Sequence, residues 1–140
     1  MVFFLLMFEL EKSALHSPTS MLVFQSPEKI YHYKIYNDTV LDPFHRLYAY
    51  HNLSKLNVSV MKEAAKYFVG QHDFSSFANK QRNDRVVNPV KNISRVDIIE
   101  KGPILQVEVE GSGFLYRQVR NMVHSTYNNL KMILGFKFYV

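Results

Sequence analysis

The chain has 140 residues, 47% of them hydrophobic and 14% aromatic, enough apolar matter for one buried core and too much for a disordered chain. Seventeen Lys and Arg against twelve Asp and Glu give a formal charge of +5, a balance that favours a polyanionic partner such as a nucleic acid. Without cysteine, disulfides and thiolate zinc sites are excluded, and the six histidines fall in no H-x-x-x-H pairing, so no metal is expected.

The apolar run over residues 1–8 stops at Glu9, Glu11 and Lys12, well short of the roughly 20 residues that span a bilayer. It has no basic stretch before it and no small-residue cleavage site after it, so it reads neither as a membrane helix nor as a signal peptide, and no membrane partner is expected. Ser17-Pro18-Thr19-Ser20 and Ser26-Pro27 flank a short apolar run, and residues 1–27 are expected to form a poorly ordered leader and linker. The folded domain is expected over 28–123, followed by a divergent tail over 124–140. From Ile30 to Tyr36 the density of aromatic and branched residues predicts a strand, with a loop from Asn37 through Asp42-Pro43. Residues 44–51 are ambiguous and read as a second extended stretch. Val60, Met61, Ala64, Ala65 and Phe68 line one face of a helix expected over 58–69, with Asn57 or Ser59 as cap and Gly70 as terminator. A long loop anchored by Phe74 and Phe77 is expected over 71–83. Residues 93–100 and 104–110 predict a hairpin turning at Lys101-Gly102-Pro103, and a helix is expected from near Phe114. No internal repeat is visible.

Several stretches carry groups suited to chemistry. In Lys29-Ile30-Tyr31-His32-Tyr33 the period of a strand sends Tyr31 and Tyr33 to one face, where they either pack in the core or stack on an unstacked base. Arg46, in Asp42-Pro43-Phe44-His45-Arg46, reads equally as a solvated loop residue or a phosphate contact. His72, Asp73 and Ser75 do not read as a hydrolytic triad, whose members come from distant chain positions. Their segment, Gly70-Gln71-His72-Asp73-Phe74-Ser75-Ser76-Phe77, reads instead as a turn in which Asp73 and the serines bond nearby amides. Finally, Gly113-Phe114-Leu115-Tyr116-Arg117-Gln118-Val119-Arg120-Asn121-Met122-Val123 places Arg120 beside buried positions, where a guanidinium needs a carboxylate or a phosphate as partner.

Together, K-x-Y-x-Y, D-P-F-H-R, G-x-H-D-F-S-S-F and G-F-L-Y-x-x-V-R-N, in this order, resemble the TruA-type tRNA pseudouridine synthases from about Lys29 to Val123, roughly the C-terminal half of such an enzyme. The resemblance implies an α/β (α+β) fold with a mostly antiparallel sheet and flanking helices. It also implies a homodimer in the complete enzyme, no cofactor, and isomerisation of uridine to pseudouridine in the anticodon stem-loop of tRNA, inside the cell. By the same resemblance Arg120 is the partner of the catalytic aspartate and Tyr31 the active-site tyrosine, with Tyr33, Leu115 and Phe114 beside the target base and Arg46 and Arg117 contacting RNA. Arg82-Asn83-Asp84-Arg85-Val86 echoes the R-T-D-x-G-V-H motif of the catalytic aspartate, but it stands downstream of K-x-Y-x-Y instead of upstream and lacks the glycine and histidine, so Asp84 is not expected to be the nucleophile.

The pattern departs from the family at both ends. The aspartate motif is missing before Lys29, and His124-Ser125-Thr126-Tyr127-Asn128-Asn129 is polar where the family continues an apolar helix. The expectation is altered splicing or an incomplete gene model, with R-T-D-x-G-V-H encoded upstream. Two readings stand: an RNA-modifying enzyme, or an inactive RNA-binding or dimerising fragment of one. An unrelated basic α/β module would require four ordered matches to arise by chance.

Overall fold

The computed structural model describes residues 9–11, 27–80 and 87–128; Asp84 and most of the expected leader and tail lie outside the described residues. Strand β1 (Glu9–Glu11) pairs antiparallel with β2 (Lys29–Tyr36). A single turn of 3-10 helix over Pro43–His45 leads to the two-residue strand β3 (Tyr50–His51). Then come helix α1 (Val58–Lys66), strand β4 (Gly70–Asp73), a 3-10 turn at Ser75–Phe77, the hairpin of β5 (Val90–Lys101) and β6 (Ile104–Gly111), and helix α2 (Gln118–Asn128). The sheet runs β1-β2-β6-β5-β4, antiparallel throughout that path, with β3 pairing parallel to the far end of β2. The expected mostly antiparallel sheet with flanking helices is thus the observed one.

Register explains where the core sits. Tyr31, Tyr33 and Ile35 of β2 stand opposite Val109, Val107 and Leu105 of β6, and this shared face meets Met61, Ala64, Ala65 and Phe68 from α1 and its exit and Val119, Met122 and Val123 from α2. Phe68 and Phe74 are fully buried, and truncating either to alanine costs roughly 3–5 kcal/mol. On the opposite face the alternate residues are polar: Gln106 Nε2 donates to Glu108 Oε1 at 2.8 Å, and Arg95 Nε donates to Glu110 Oε2 at 3.1 Å. Gly102, at φ 62, supplies the left-handed residue that the two-residue turn between β5 and β6 requires.

Four local expectations change. Residues 44–51 do not form an extended stretch: Asp42 Oδ1 accepts from Phe44 N at 3.0 Å and Pro43 opens a 3-10 turn, leaving strand only at Tyr50 and His51. The polar segment after Gly70 is in part a strand, because β5 extends far enough to offer it a ladder. Helix α1 ends at Lys66 and passes through a tightened turn at Tyr67 and Phe68 before Gly70 (φ 108), while Asn57 caps its start as expected. Helix α2 begins at Gln118 instead of near Phe114, and it runs to Asn128 despite the poor helix formers there. Thr126 Oγ1 donates to Val123 O at 2.6 Å and Ser125 Oγ to Asn121 O at 2.9 Å, so these polar side chains are absorbed along the helix itself.

Candidate active site

The approach to α2 is shaped by close packing. A Cβ on Gly111 would lie 2.7 Å from Asn92 O and 3.3 Å from the Phe114 ring, so only glycine lets β6 end against β5 beneath Phe114. Phe114 in turn meets Tyr31 edge-to-face, with ring centroids 4.8 Å apart. Leu115 N donates to Gln118 Oε1 at 2.8 Å, and the fully buried Gln118 also holds Met122 Sδ at 3.6 Å. That side-chain cap is why Phe114 and Leu115 leave the helix and lie on the core instead. Arg117 sits at φ 60, a left-handed conformation that costs a side-chain-bearing residue about 1–2 kcal/mol, and its guanidinium lies over the Tyr116 ring at 5.1 Å.

One turn on, Asn121 ties α2 to the chain that follows the H-D-F-S-S-F segment. Its Nδ2 donates to Phe77 O at 2.6 Å and to Asn79 Oδ1 at 2.8 Å, while Asn79 N donates to Tyr116 O at 3.1 Å. These bonds join two motifs more than 40 residues apart and border a cavity of about 250 Å³ lined by Asn79, Arg117, Arg120, Asn121 and His124. Arg120, Asn121 and His124 form one stripe of α2, and Arg117 stands immediately before the helix.

Under this stripe lies a group of tyrosines. Tyr33 is 2% exposed, and its hydroxyl has no hydrogen-bond partner among the described residues. Burial pushes its pKa up to about 12, opposed by the neighbouring Arg120 charge. Tyr127 is held far above the usual phenol range by burial and by Tyr50 and Tyr33; its hydroxyl bonds His124 Nδ1, and its ring stacks on Tyr50 at 6.3 Å. The His124 pKa is lowered, first by burial and then by the Arg120 charge. A positive charge thus stands on a cluster of neutral rings. Among the described residues none of the ion pairs involves Arg120.

The expected site residues therefore divide. Arg120 and Arg117 share the cavity, Tyr33 lies next to Arg120, and Tyr31, Phe114 and Leu115 form an adjoining apolar patch on the same sheet face. Arg46 is exposed on the turn after Pro43–His45 and does not line the cavity. Asp73 caps Ser75, accepting from its N at 2.9 Å, and that bond lowers the Asp73 pKa. His124, Asn79, Asn121 and Gln118 were not anticipated. The spacing of Arg120, Asn121 and His124 along one helix was readable from the sequence, whereas nothing in the sequence links Asn79 to Asn121 or Tyr50 to Tyr127. No group of acidic, histidine or cysteine side chains suited to a metal occurs among the described residues, and none of their helices is long and apolar enough to cross a membrane.

Residues 64–129, which hold the H-D-F-S-S-F segment, the hairpin and α2, match the family model described as tRNA pseudouridine synthase. The chain belongs to the TruA-type tRNA pseudouridine synthase family. It is 44% identical over 108 residues to tRNA pseudouridine synthase A 1 of Protochlamydia amoebophila, covering 76% of this chain and 42% of that protein. It is 46% identical over 101 residues to tRNA pseudouridine synthase A of Pseudothermotoga lettingae, covering 71% and 40%, respectively. With tRNA pseudouridine synthase A 2 of Bacillus cereus the identity is 40% over 100 residues, covering 71% and 40%. The chain spans about two fifths of the length of the curated relatives it matches. In this chain the bond from Asn121 Nδ2 to Phe77 O joins the two motifs next to Arg120 in sequence.

Proposed function

We propose that this chain carries the arginine-bearing part of a tRNA pseudouridine synthase, which isomerises uridine to pseudouridine in the anticodon arm of tRNA. The supporting observation is Arg120, which faces a cavity above buried neutral tyrosines with no carboxylate paired to it among the described residues. A half-buried guanidinium in that setting is a strong receptor for a carboxylate. The nucleophilic aspartate comes from a segment bearing R-T-D-x-G-V-H, a motif that the matched part of this chain does not contain. The aspartate attacks C1′ of the flipped nucleotide as the glycosidic C–N bond breaks, the uracil turns, and its C5 then displaces the carboxylate from C1′ with loss of the C5 proton. Flipping is required because the reacting atoms are inaccessible within a stacked helix. Tyr31 is the active-site tyrosine, and Tyr33, Leu115 and Phe114 lie beside the flipped base, Phe114 edge-to-face with Tyr31. Arg46 and Arg117 contact RNA phosphates, and the complete enzyme acts as a homodimer.

Tritium release from tRNA labelled at uridine C5 tests this reading directly. The chain alone is expected to give background release, and the chain supplied with the aspartate-bearing segment of a relative is expected to give release above background. Background release in both cases sinks the proposal, whereas release by the chain alone makes Asp84 or Asp73 the nucleophile and removes the role of a separate segment.

A further inference from the structure

The cavity on α2 holds more positive and donor groups than one carboxylate requires. Arg120, Asn121 and His124 line it from α2, Arg117 from the residue just before the helix, and Asn79 from the chain after the H-D-F-S-S-F segment; this described lining has no carboxylate. The Asn79 amide is oriented before any ligand arrives, because its Oδ1 accepts from Asn121 Nδ2, whose two hydrogens are spent there and on Phe77 O; the hydrogens of Asn79 Nδ2 remain available. Arg117 is held at the cavity by a backbone conformation that glycine adopts at far lower cost. Backbone strain of this kind gathers where a side chain must be aimed. We infer that this cavity is a phosphodiester-binding subsite, in which Arg117 and His124 grip one phosphate of an RNA strand while Arg120 keeps donors for the carboxylate beside it. The inference rests on the proposed reaction of this same site and adds a specific backbone contact to it.

The size and charge of the cavity fit that ligand. A volume of about 250 Å³ admits a phosphate with its ester substituents. The groups facing the His124 imidazole are Arg120 and Tyr127 from α2 and Tyr50 from β3, so no described carboxylate favours its protonated form. A bound phosphate supplies the missing negative charge. Binding therefore takes up a proton at His124 and strengthens as pH falls.

Dimethyl phosphate is the suitable probe, because a diester keeps one charge between pH 5 and 8, and the His124 imidazole resonances report its arrival. The diester is expected to shift these resonances saturably and to raise the pH midpoint of the imidazole, while uridine, which has no phosphate, leaves them in place. Arg117→Gly relieves the backbone strain and so keeps the fold, and it is expected to weaken the diester about tenfold. His124→Gln is expected to keep binding but lose its pH dependence. Unmoved His124 resonances, or equal affinity in Arg117→Gly, overturn the subsite. Unlabelled tRNA is expected to displace the diester; a diester that binds and resists tRNA overturns the RNA assignment and leaves a site for a free anion. None of these readouts needs turnover, so absent tritium release with diester binding intact counts against the proposed reaction alone.

Discussion

Arg120 and the rings beneath it make one electrostatic unit, and each member has its own consequence. Arg120→Ala, in a form that has the aspartate, is expected to lower turnover by at least about 100-fold while leaving salt-sensitive tRNA binding nearly intact. Equal losses in tritium release and filter binding would instead make Arg120 a phosphate contact. Tyr33 buries a hydroxyl with no described partner, so Tyr33→Phe is expected to be neutral or to stabilise by up to about 1 kcal/mol in urea denaturation. The two shifted groups act on stability in opposite pH ranges. Tyr33 keeps its proton in the folded chain above the ordinary value of 10.0, so the folded state binds more protons and stability falls as pH rises from there towards about 12. His124 has its pKa lowered from 6.5, so the unfolded state binds more protons and stability falls as pH drops below that value. For one proton the slope is at most about 1.4 kcal/mol per pH unit. Urea midpoints at pH 5.5 and 7.5 are expected to differ less in His124→Gln than in the native chain, and an unchanged difference would assign the acid response to other groups.

At the scale of elements, the site is assembled by two joints. The first is the end of β6, where a methyl group on Gly111 meets backbone at 2.7 Å. Gly111→Ala is expected to cost about 1–3 kcal/mol and to loosen Phe114 from Tyr31, read as a lower melting temperature together with changed resonances of both rings. The second joint is Asn121. Asn121→Ala removes the side-chain bonds to Phe77 O and Asn79 Oδ1, at a cost of about 1–3 kcal/mol, and is expected to expose the chain near Asn79 to faster hydrogen exchange. Unaltered exchange there would mean that the Asn79 N bond to Tyr116 O suffices on its own. Helix α1, β2 and the β5–β6 hairpin were legible from hydrophobic period and turn residues, because their local preferences agree with their packing. β4 and the start of α2 were not. A strand that exists only because a longer neighbour offers hydrogen bonds has no period of its own, and the capping of Leu115 by Gln118 pulls two apolar residues out of an otherwise helical pattern.

For the molecule as a whole, positive charge and an open sheet margin set its behaviour. With a formal charge of +5, tRNA binding is expected to weaken steeply between about 50 and 200 mM salt. Arg46→Gln is expected to weaken it uniformly and to reduce the logarithmic salt slope by about 1. A slope that Arg46→Gln leaves unchanged would return Arg46 to the role of a solvated loop residue. The outer edge of β2 is covered in two pieces, by β1 at its start and β3 at its end, whereas β4 borders the other side of the sheet. Val40, Phe44, Leu47 and Leu53 are strongly exposed around β3, which suits the proposed homodimer better than a chain acting alone.

The sequence by itself determined the family resemblance, the antiparallel hairpin and the shared face of Tyr31 and Tyr33. Each of these depends on residue type at short spacing, which is written along the chain. Only the tertiary structure decided that the Arg120 charge acts on Tyr33, that Asn79 shares the Arg120 cavity, and that Asn121 fastens the two motifs together. The relations of Arg120 to Tyr33 and Asn79 and of Asn121 to Phe77 join residues 40 to 90 positions apart, and they exist because the sheet register and the capped entry to α2 bring distant side chains onto one side of the core.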